Sequence, residues 1–383
     1  MPEAVIVATG RSPIGRAYKG SLTTNRPDDM LGYVVKKVLE KVPELPHDEI
    51  DDLICGCGFP QGQAGMNVGR LAVFLSGLPE SVPGTTVNRF CASSLQAIRM
   101  AYHAIKVGEA GAIVAAGVES CSRVKTMPDA EDINMRLFGP DAIADAYITM
   151  GITAENVAGQ FGITREEMDE FAYQSQMKAT RARDEGIFGY EIIPVTTPEG
   201  VEVTADDGIR SNTTVEGLAQ LKPVFKEDGR VTAGNACPLN DGAAAVIVMS
   251  EEKARELGIK PLARIVGSAV SALDPAIMGV GPIEACRKVF AQTGMTVNDI
   301  DVVELNEAFA AQVIPVSREV GWDMDKLNPH GGAIALGHPF GMTGARIMTT
   351  LINDLQTLDK TYGLETMCVG GGQGMAMIVE RLN

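Results

Sequence analysis

Hydrophobic runs near the start of the chain alternate with a helical segment. The run AVIVATGRSP predicts a strand, the apolar spacing over residues 31–42 predicts a helix, and EIDDLICG over residues 49–56 predicts a second strand. Strands that alternate with helices are typical of parallel sheets covered by helices. The pattern therefore predicts an α/β fold.

The far half of the chain repeats this order. ARIVGSAVSA predicts a strand, residues 282–292 a helix, and DIDVVELN another strand. In the first half, VNRF leads into a helix at Cys91, and the half ends with the apolar run GAIVAAG. In the second half, GGAIALGHP leads into a helix near Gly341, and the half ends with TMCVGGG. Matched positions lie about 250 residues apart, which favours an internal duplication. Chance agreement is the alternative, because βαβ units resemble one another.

A charged segment, rich in helical pattern, separates the two halves. It has the character of an insertion, and insertions at the end of a parallel sheet commonly cap a ligand site. A surface excursion without a ligand role is the alternative. We therefore expect three units: a first half over residues 1–120, an inserted loop domain over 121–238, and a second half over 239–383.

Composition and charge narrow the function classes. The chain has 383 residues, 45% hydrophobic and 21% charged, as in a globular protein of two or three domains. Its net charge of -16 argues against general affinity for nucleic acid or an anionic membrane surface. The N-terminus lacks a signal-peptide pattern and no long apolar run occurs, so we expect a cytoplasmic protein without a membrane partner. Seven cysteines, an odd number, favour reduced thiols.

Cys91 is the first candidate for chemistry. It opens CASSLQAIRMAYHAI, whose apolar positions run almost all the way round a helix, so the helix is predicted to be buried. At a helix N-terminus, unpaired N–H groups and the macrodipole stabilise a thiolate, so we expect a lowered pKa for this thiol. The alternative is a small core residue without reactivity.

Four further residues could join Cys91. His338 lies in the glycine-rich turn GGAIALGHPFGMTG and could be a general base or a packed ring. Cys368 precedes GGGQG at the end of an apolar strand, where it could face a ligand or simply fill the core. Asn306 and Glu307 follow the strand VVEL, as a helix cap or a site loop. A duplicated fold would bring these loops to one centre, with two thiols and an imidazole.

Four segments together resemble the thiolase family: NRFCASSLQAI, NEAFAAQ, GGAIALGHPFGMTGAR and CVGGGQGMA. The likeness extends over essentially the whole chain. It implies a five-layered α-β-α-β-α fold of two similar halves, with a loop domain that covers coenzyme A. It also implies an acyltransferase that uses coenzyme A as co-substrate, without a permanently bound cofactor or metal, and that forms homodimers or homotetramers.

The resemblance implies a role for each candidate. Cys91 becomes acylated, His338 takes its proton, and Cys368 moves the proton at the α-carbon of the acetyl group. His338 and a water held by Asn306 would stabilise the enolate. The backbone N–H groups of Cys91 and Gly370 would stabilise the other oxyanion.

The resemblance also implies contacts with coenzyme A. Arg210 matches the position that meets its nucleotide end, and Met150, Phe225, Ala233 and Phe309 match the pantetheine channel. Residues 160–230 hold eight Lys and Arg against fourteen Asp and Glu, so the sequence does not indicate a basic patch there.

Two departures from the family pattern bear on substrate choice. Cys237 stands where many thiolases have a serine that meets the pantetheine arm, so this contact could be weaker. Thr149 stands where many short-chain biosynthetic thiolases have histidine. Both favour the degradative or broader-specificity branch, which cleaves 3-oxoacyl-coenzyme A esters, over the biosynthetic branch.

Other functions compete with a thiolase. Ketoacyl synthases share the duplicated fold but generally pair the cysteine with two histidines, so Cys368 counts against them. An inactive acyl-binding protein is disfavoured because Cys91, His338 and Cys368 are all present. A redox-sensing role for Cys91 or Cys368 is compatible with catalysis.

Overall fold

The structure is a computed structural model that describes residues 2–127, 129–139 and 141–383. The strands within these residues are β1 Ala4–Arg11, β2 Gly15–Arg16, β3 Asp52–Gly56, β4 Gly84–Val87, β5 Ala112–Ser120, β6 Val195–Thr196, β7 Glu202–Val203, β8 Asn240–Ser250, β9 Ala263–Ala272, β10 Val302–Leu305, β11 Tyr362–Val369 and β12 Gln373–Arg381. The α-helices are α1 Pro27–Leu39, α2 Val68–Ser76, α3 Ser93–Lys106, α4 Met150–Gln160, α5 Arg165–Asp184, α6 Val215–Ala219, α7 Glu251–Glu256, α8 Gly281–Thr293, α9 Ala310–Val320, α10 Ala333–Leu336 and α11 Thr343–Thr357.

Two half-sheets with the same internal order form the framework. The first runs β4-β3-β5-β8-β1, with β3, β4 and β5 parallel and β8 antiparallel to its neighbours. The second runs β10-β11-β12-β9, with β10 and β11 parallel. A short pairing of Val5 with Arg264 and Ile6 with Ala263 joins β1 to β9 at the inner edges.

The repeat predicted from the sequence is present in the fold. The series β9, α8, β10, α11, β11 and β12 matches β1, α1, β3, α3, β5 and β8 in chain order and in sheet position. The division at residues 120 and 238 stays a prediction. β8, which that division assigns to the last unit, pairs with β1 and β5 of the first half.

Five layers stack in the order predicted from the family resemblance. Helices α1 and α2 cover one face of the first half-sheet, and α8 and α9 cover the outer face of the second. Helices α3 and α11 contact each other between the two half-sheets. Alternation along β5 shows the arrangement, because Val114 faces the outer helices while Ile113 and Ala115 face the middle layer. The predicted fold class is therefore confirmed.

Glycines allow the middle layer to approach the strands closely. A Cβ atom at Gly117 of β5 would lie 2.2 Å from the carbonyl oxygen of Gly341 and 2.5 Å from Cβ of Ser94. At Gly344 of α11, it would lie 2.3 Å from the backbone nitrogen of Leu95 in α3. These positions exclude any side chain, so the two halves meet backbone to backbone beside Cys91 and His338.

No helix among the described residues is long and apolar enough to cross a membrane.

We expect Gly117→Ala to lower the free energy of unfolding by about 1–3 kcal/mol, because the added methyl group overlaps rigid backbone atoms. Gly159→Ala in α4 is the matched control, since its Cβ meets no atom within 4 Å, and we expect it to stabilise by roughly 0.5–1 kcal/mol. Urea unfolding of the two variants measures both effects. Equal midpoints would show that the close approach at Gly117 is not a constraint.

Candidate active site

Cys91 lies in a single 3₁₀ turn, Phe90–Ala92, and α3 begins two residues later at Ser93. The hydroxyl of Ser93 donates to the carbonyl of Phe90 at 2.6 Å and accepts from the backbone N–H of Arg89 at 2.9 Å. Phe90 has a φ of 42°, in the left-handed region that non-glycine residues rarely adopt. The local fold thus holds the thiol in a defined turn rather than in the helix itself.

The predicted lowering of the Cys91 pKa is wrong. Burial raises the pKa of this thiol to about 11. The backbone N–H groups of Gly370 and of Cys91 itself act in the opposite direction, and the carboxylate of Glu119 adds to the rise. The prediction from the sequence considered the N–H donors but not the removal of water from the thiol. Cys91 is only 7% exposed, and this desolvation outweighs the donors.

Hydrogen bonds define the tautomer of His338. The Thr343 hydroxyl donates to the carbonyl of Pro339 at 2.8 Å, so it accepts from His338 Nδ1 at 2.6 Å. Nδ1 therefore carries the proton, and Nε2 is the unprotonated nitrogen, which accepts from the amide of Asn306. The Asn306 amide nitrogen lies 3.3 Å from Nε2. Sequence reasoning singled out His338 and Asn306, and the structure brings them together.

The imidazole of His338 is neutral. Burial, reinforced by the positive charge of Arg346, lowers its pKa to about 3. With the raised pKa of the Cys91 thiol, both groups are uncharged near neutral pH. A proton can therefore move from sulfur to nitrogen only when another charge or dipole stabilises the resulting pair.

Glu119 joins the loop after β3 to the turn that follows His338. One of its carboxylate oxygens accepts from the backbone N–H of Gly58 at 2.8 Å and of Gly341 at 2.9 Å. The other accepts from the N–H of Phe59 at 3.3 Å. Burial raises the pKa of Glu119 to about 7. Sequence reasoning missed this residue, although an acidic residue closing the apolar strand GAIVAAGVES was an available signal.

Aromatic rings pack around the turn of Cys91 and the turn of His338. The ring of Phe59 lies 6.2 Å from that of Phe90 and 5.7 Å from that of Phe340, measured between centroids. The His338 ring packs edge-on against Phe340 at 5.0 Å. Through Phe59, these rings connect the turn of Cys91 to the turn of His338.

A second and a third thiol lie near the first. Cys368 is fully buried near the end of β11, against a cluster that includes Ala236 and Phe309. Burial raises its pKa well above the usual value, and the neighbouring sulfurs of Cys91 and Cys237 raise it further. Cys237 was predicted to lie at the contact with the pantetheine arm, as a departure from the serine of the family pattern. The structure places it with the two predicted thiols.

The loop after β10 is a structural anchor. Glu307 accepts from the Ser175 hydroxyl at 2.6 Å, from the Asn328 amide at 2.7 Å and from the N–H of Ile334 at 3.1 Å. The helix-cap alternative for residues 306–307 is wrong, because α9 has Phe309 at its N-cap position. Glu307 instead fixes the loop that positions Asn306.

A cavity of about 320 Å³ opens between the inserted segment and the first half. Of the positions matched to coenzyme A contacts, Arg210, Phe225, Ala233 and Cys237 line it. Phe309 and Met150 do not, and belong to the hydrophobic cluster beside it. The Phe225 and Phe309 rings meet edge-on at 6.3 Å, so that cluster supports the wall.

Comparison with known proteins agrees with this architecture. The family model described as the thiolase N-terminal domain matches residues 4–252, and that of the thiolase C-terminal domain matches residues 259–381. The chain is 45% identical to a β-ketoadipyl-CoA thiolase of Acinetobacter baylyi, with all of both chains covered. It is 43% identical to a 3-ketoacyl-CoA thiolase of Bacillus subtilis, covering 99% of this chain and all of the relative.

A solved structure has the same fold over its full length. The acetyl-CoA acetyltransferase of Bacillus anthracis superimposes with a TM-score of 0.92 at 40% identity, covering 100% of this chain and 99% of the other. A duplicated α/β fold with thiols and a neutral imidazole in buried turns defines an acyltransferase that acts on thioesters. The chain belongs to the thiolase family, whose members act on coenzyme A and acyl-coenzyme A thioesters.

We expect the alkylation rate of Cys91 by iodoacetamide to rise about tenfold per pH unit from pH 7 to 10, because the thiolate is the reactive form and its pKa is about 11. Mass spectrometry of the Cys91 peptide after timed quenching measures this rate. A plateau above pH 7 would instead indicate the low-pKa thiol expected from the sequence.

Proposed function

We propose that this thiolase cleaves 3-oxoacyl-coenzyme A with coenzyme A, giving acetyl-coenzyme A and an acyl-coenzyme A shortened by two carbons, through an acyl group on Cys91. The observation that carries the proposal is that the thiols of Cys91 and Cys368 lie close enough for the charge of one to raise the pKa of the other. It is supported by the unprotonated Nε2 of His338, since the Phe340–Met342 turn that follows this residue contacts the turn of Cys91. The reaction needs a nucleophile, a base for it and a second proton carrier.

The first half-reaction breaks the carbon–carbon bond. The Cys91 thiol passes its proton to Nε2 of His338, and the sulfur attacks the 3-oxo carbon. The resulting alkoxide collapses, the bond between C2 and C3 breaks, and its electron pair leaves as the enolate of acetyl-coenzyme A. Cys368 gives this carbanion a proton, and the shortened acyl group remains on Cys91 as a thioester.

The second half-reaction transfers the acyl group. The Cys368 thiolate first takes the proton held by His338. Nε2 of His338 then accepts the thiol proton of an incoming coenzyme A, whose sulfur attacks the acyl carbon on Cys91. The tetrahedral intermediate then expels the Cys91 sulfur, which recovers its proton from His338. Protons and electrons balance, so the cycle needs no oxidant and no resident cofactor.

Donors are available for both oxyanions. The backbone N–H groups of Cys91 and Gly370 act on the Cys91 sulfur, which supports their use for the tetrahedral oxyanion on an acyl-Cys91. For the enolate, protonated Nε2 of His338 is one donor. Asn306 Oδ1 is buried without a hydrogen-bond partner among the described residues, which supports its holding a water there. One such donor is commonly worth about 2.7–4 kcal/mol.

Burial keeps the Cys91 thiol and the His338 imidazole uncharged until substrate is bound, as the proposed steps require. Neither group is charged at rest, so the nucleophile is formed only when the substrate carbonyl develops negative charge beside the imidazolium. In a water-poor site, that attraction is stronger than in solvent. The raised thiol pKa is therefore consistent with a nucleophile activated by substrate.

The cavity supports a role in holding the pantetheine arm. Its wall contains Phe225, Ala233 and Cys237, and the Cys237 thiol is close enough to Cys91 for the charge of one to raise the pKa of the other. A slender arm entering past Arg210 would thus lead toward the thiols. We propose Met150 and Phe309 as the packing behind this channel rather than as its surface.

Degradation of 3-oxoacyl esters is our first choice, and condensation of two acetyl-coenzyme A molecules is the alternative. Cys237 and Thr149 depart from the pattern of many biosynthetic members. Similar proteins do not separate the two activities, since they include β-ketoadipyl-CoA thiolases and acetyl-CoA acetyltransferases at 43–45% identity. We also propose a cytoplasmic homodimer or homotetramer, on the family resemblance alone.

We expect Cys91→Ser to abolish acylation, because a serine hydroxyl is a far weaker nucleophile than a thiolate. Cys368→Ser should still be acylated by acetyl-coenzyme A but lose thiolysis and condensation by about 10²-fold or more. Intact-protein mass spectrometry after mixing with acetyl-coenzyme A measures the acetyl group. Circular dichroism of both variants checks that they fold.

Acetyl label on Cys91→Ser would refute the assigned nucleophile. Loss of acylation in both variants, with both folded, would refute the separate role of Cys368.

Substrate choice is measured by thiolysis of 3-oxoacyl-coenzyme A esters from four carbons to long-chain and steroid-sized acyl groups. We expect kcat/KM for esters longer than four carbons to match or exceed that for acetoacetyl-coenzyme A. Activity confined to the four-carbon ester would favour the biosynthetic alternative.

A further inference from the structure

The cavity beside Cys237 has a cationic rim that sequence reasoning missed. Arg16 and Lys19, from the turn after β2, line it together with Arg210 of the inserted segment. None of these three side chains forms a salt bridge within the described residues, although the whole chain carries a net charge of -16. Burial and the nearby charge of Arg16 lower the pKa of Arg210. Three cations that face one cavity without carboxylate partners indicate an anionic ligand.

An exposed aromatic ring stands between the cations. Tyr18 lines the same cavity and is 65% exposed. Its φ is 67°, in the left-handed region, which a tyrosine rarely adopts. Non-glycine residues in this region cluster at ligand clamps, where the surrounding structure holds them.

The turn that carries Tyr18 is held from several sides. The Tyr18 N–H donates to the Ser122 hydroxyl at 2.8 Å, and the Ala17 N–H donates to the carbonyl of Leu239 at 2.9 Å. The Gly20 N–H closes the turn on the carbonyl of Arg16 at 2.7 Å. The ring is thus presented at the cavity by a fixed backbone.

The nearest carboxylate is already engaged by backbone groups. One oxygen of Asp207 accepts from the N–H of Arg16 and from that of Ser21, each at 2.8 Å. A Cβ atom at Gly20 would lie 2.2 Å from that same oxygen, so only glycine fits there. Asp207 therefore builds the turn and leaves the side chains of Arg16 and Lys19 free for a ligand.

We propose that residues 16–19 bind the nucleotide end of coenzyme A, with the Tyr18 ring stacked on adenine and the Arg16 and Lys19 side chains on the phosphates. The inference rests on the proposed function, because it takes coenzyme A as the molecule in the cavity. Adenine offers a flat face to an aromatic ring, and the 3′-phosphate and diphosphate are anions that Arg and Lys bind.

Coenzyme A explains the cavity better than a free nucleotide does. The same cavity that Tyr18 and Lys19 line also contains Cys237 in its wall. A ligand with a nucleotide at one end and a thiol-bearing arm at the other uses both features. Exposed apolar side chains of Val224 and Leu239 lie beside the cations and suit the edges of a base.

The test compares two thioesters that share the reacting group and differ in the nucleotide. Acetoacetyl-coenzyme A has it, and acetoacetyl-pantetheine lacks it. For Tyr18→Gly, we expect KM for the coenzyme A ester to rise about tenfold with kcat unchanged, while KM for the pantetheine ester stays at the wild-type value. Tyr18→Phe keeps the ring and should retain wild-type KM values for both.

We expect Tyr18→Gly to keep the fold of the turn, because glycine adopts a φ of 67° readily and the substitution adds no backbone strain. An equal change of KM for both esters, or no change for either, would overturn the stacking role. The proposed function is judged separately by the wild type, which must cleave acetoacetyl-coenzyme A in the same assay.

A binding measurement tests the phosphate contacts without catalysis. Adenosine 3′,5′-bisphosphate is titrated by calorimetry into the wild type, Arg16→Ala and Lys19→Ala. We expect each variant to bind about fivefold or more weakly than wild type. Lys260→Ala, an exposed lysine that does not line the cavity, is the matched control and should bind as wild type.

Unchanged affinity in Arg16→Ala and Lys19→Ala, or equal weakening in Lys260→Ala, would refute the phosphate site. If the wild type bound the bisphosphate but showed no thiolysis, the nucleotide site would stand and the proposed reaction would fail.

Discussion

Direct backbone contact between the two halves of the molecule is the constraint on which the rest depends. Gly117 and Gly344 permit it in the middle layer, because no side chain fits at either position. The buried carboxylate of Glu119 extends it by accepting from Gly58 in one half and Gly341 in the other. Cys91 and His338 lie in turns that belong to different halves, so the spacing of the proposed nucleophile and base is fixed by this contact rather than by either half alone.

The same close packing determines the electrostatics of the site. Exclusion of water raises the pKa of Cys91 and lowers that of His338, so the resting pair is uncharged. The N–H groups of Cys91 and Gly370 act on the Cys91 sulfur, and the amide nitrogen of Asn306 lies beside Nε2 of His338, where we propose that charge is stabilised. Dipoles fixed in place before the reaction need no reorganisation during it, which is the physical basis of stabilising a transition state more than a ground state.

The cavity proposed to hold the substrate depends on a different part of the chain. The cavity is built where the inserted segment, with Arg210 and Phe225, faces the turn after β2, with Arg16 and Tyr18. Residues almost 200 positions apart in sequence thus form one surface. In the proposed function, the glycine-rich core holds the reaction centre, and this rim recognises a long, anionic thioester. The two parts meet at Cys237, which belongs to both the cavity wall and the group of thiols.

The sequence by itself determined the order of elements, the repeat and the candidates Cys91, His338, Cys368 and Asn306, because apolar periodicity and glycine-rich turns are local signals. It also favoured the family, through four segments that include those residues. Only the tertiary structure decided the pKa direction of Cys91, the structural role of Glu119 and the cationic rim formed by Arg16, Lys19 and Arg210. Desolvation, buried hydrogen bonds and surface charge depend on neighbours brought from distant parts of the chain, and a linear sequence does not contain those distances.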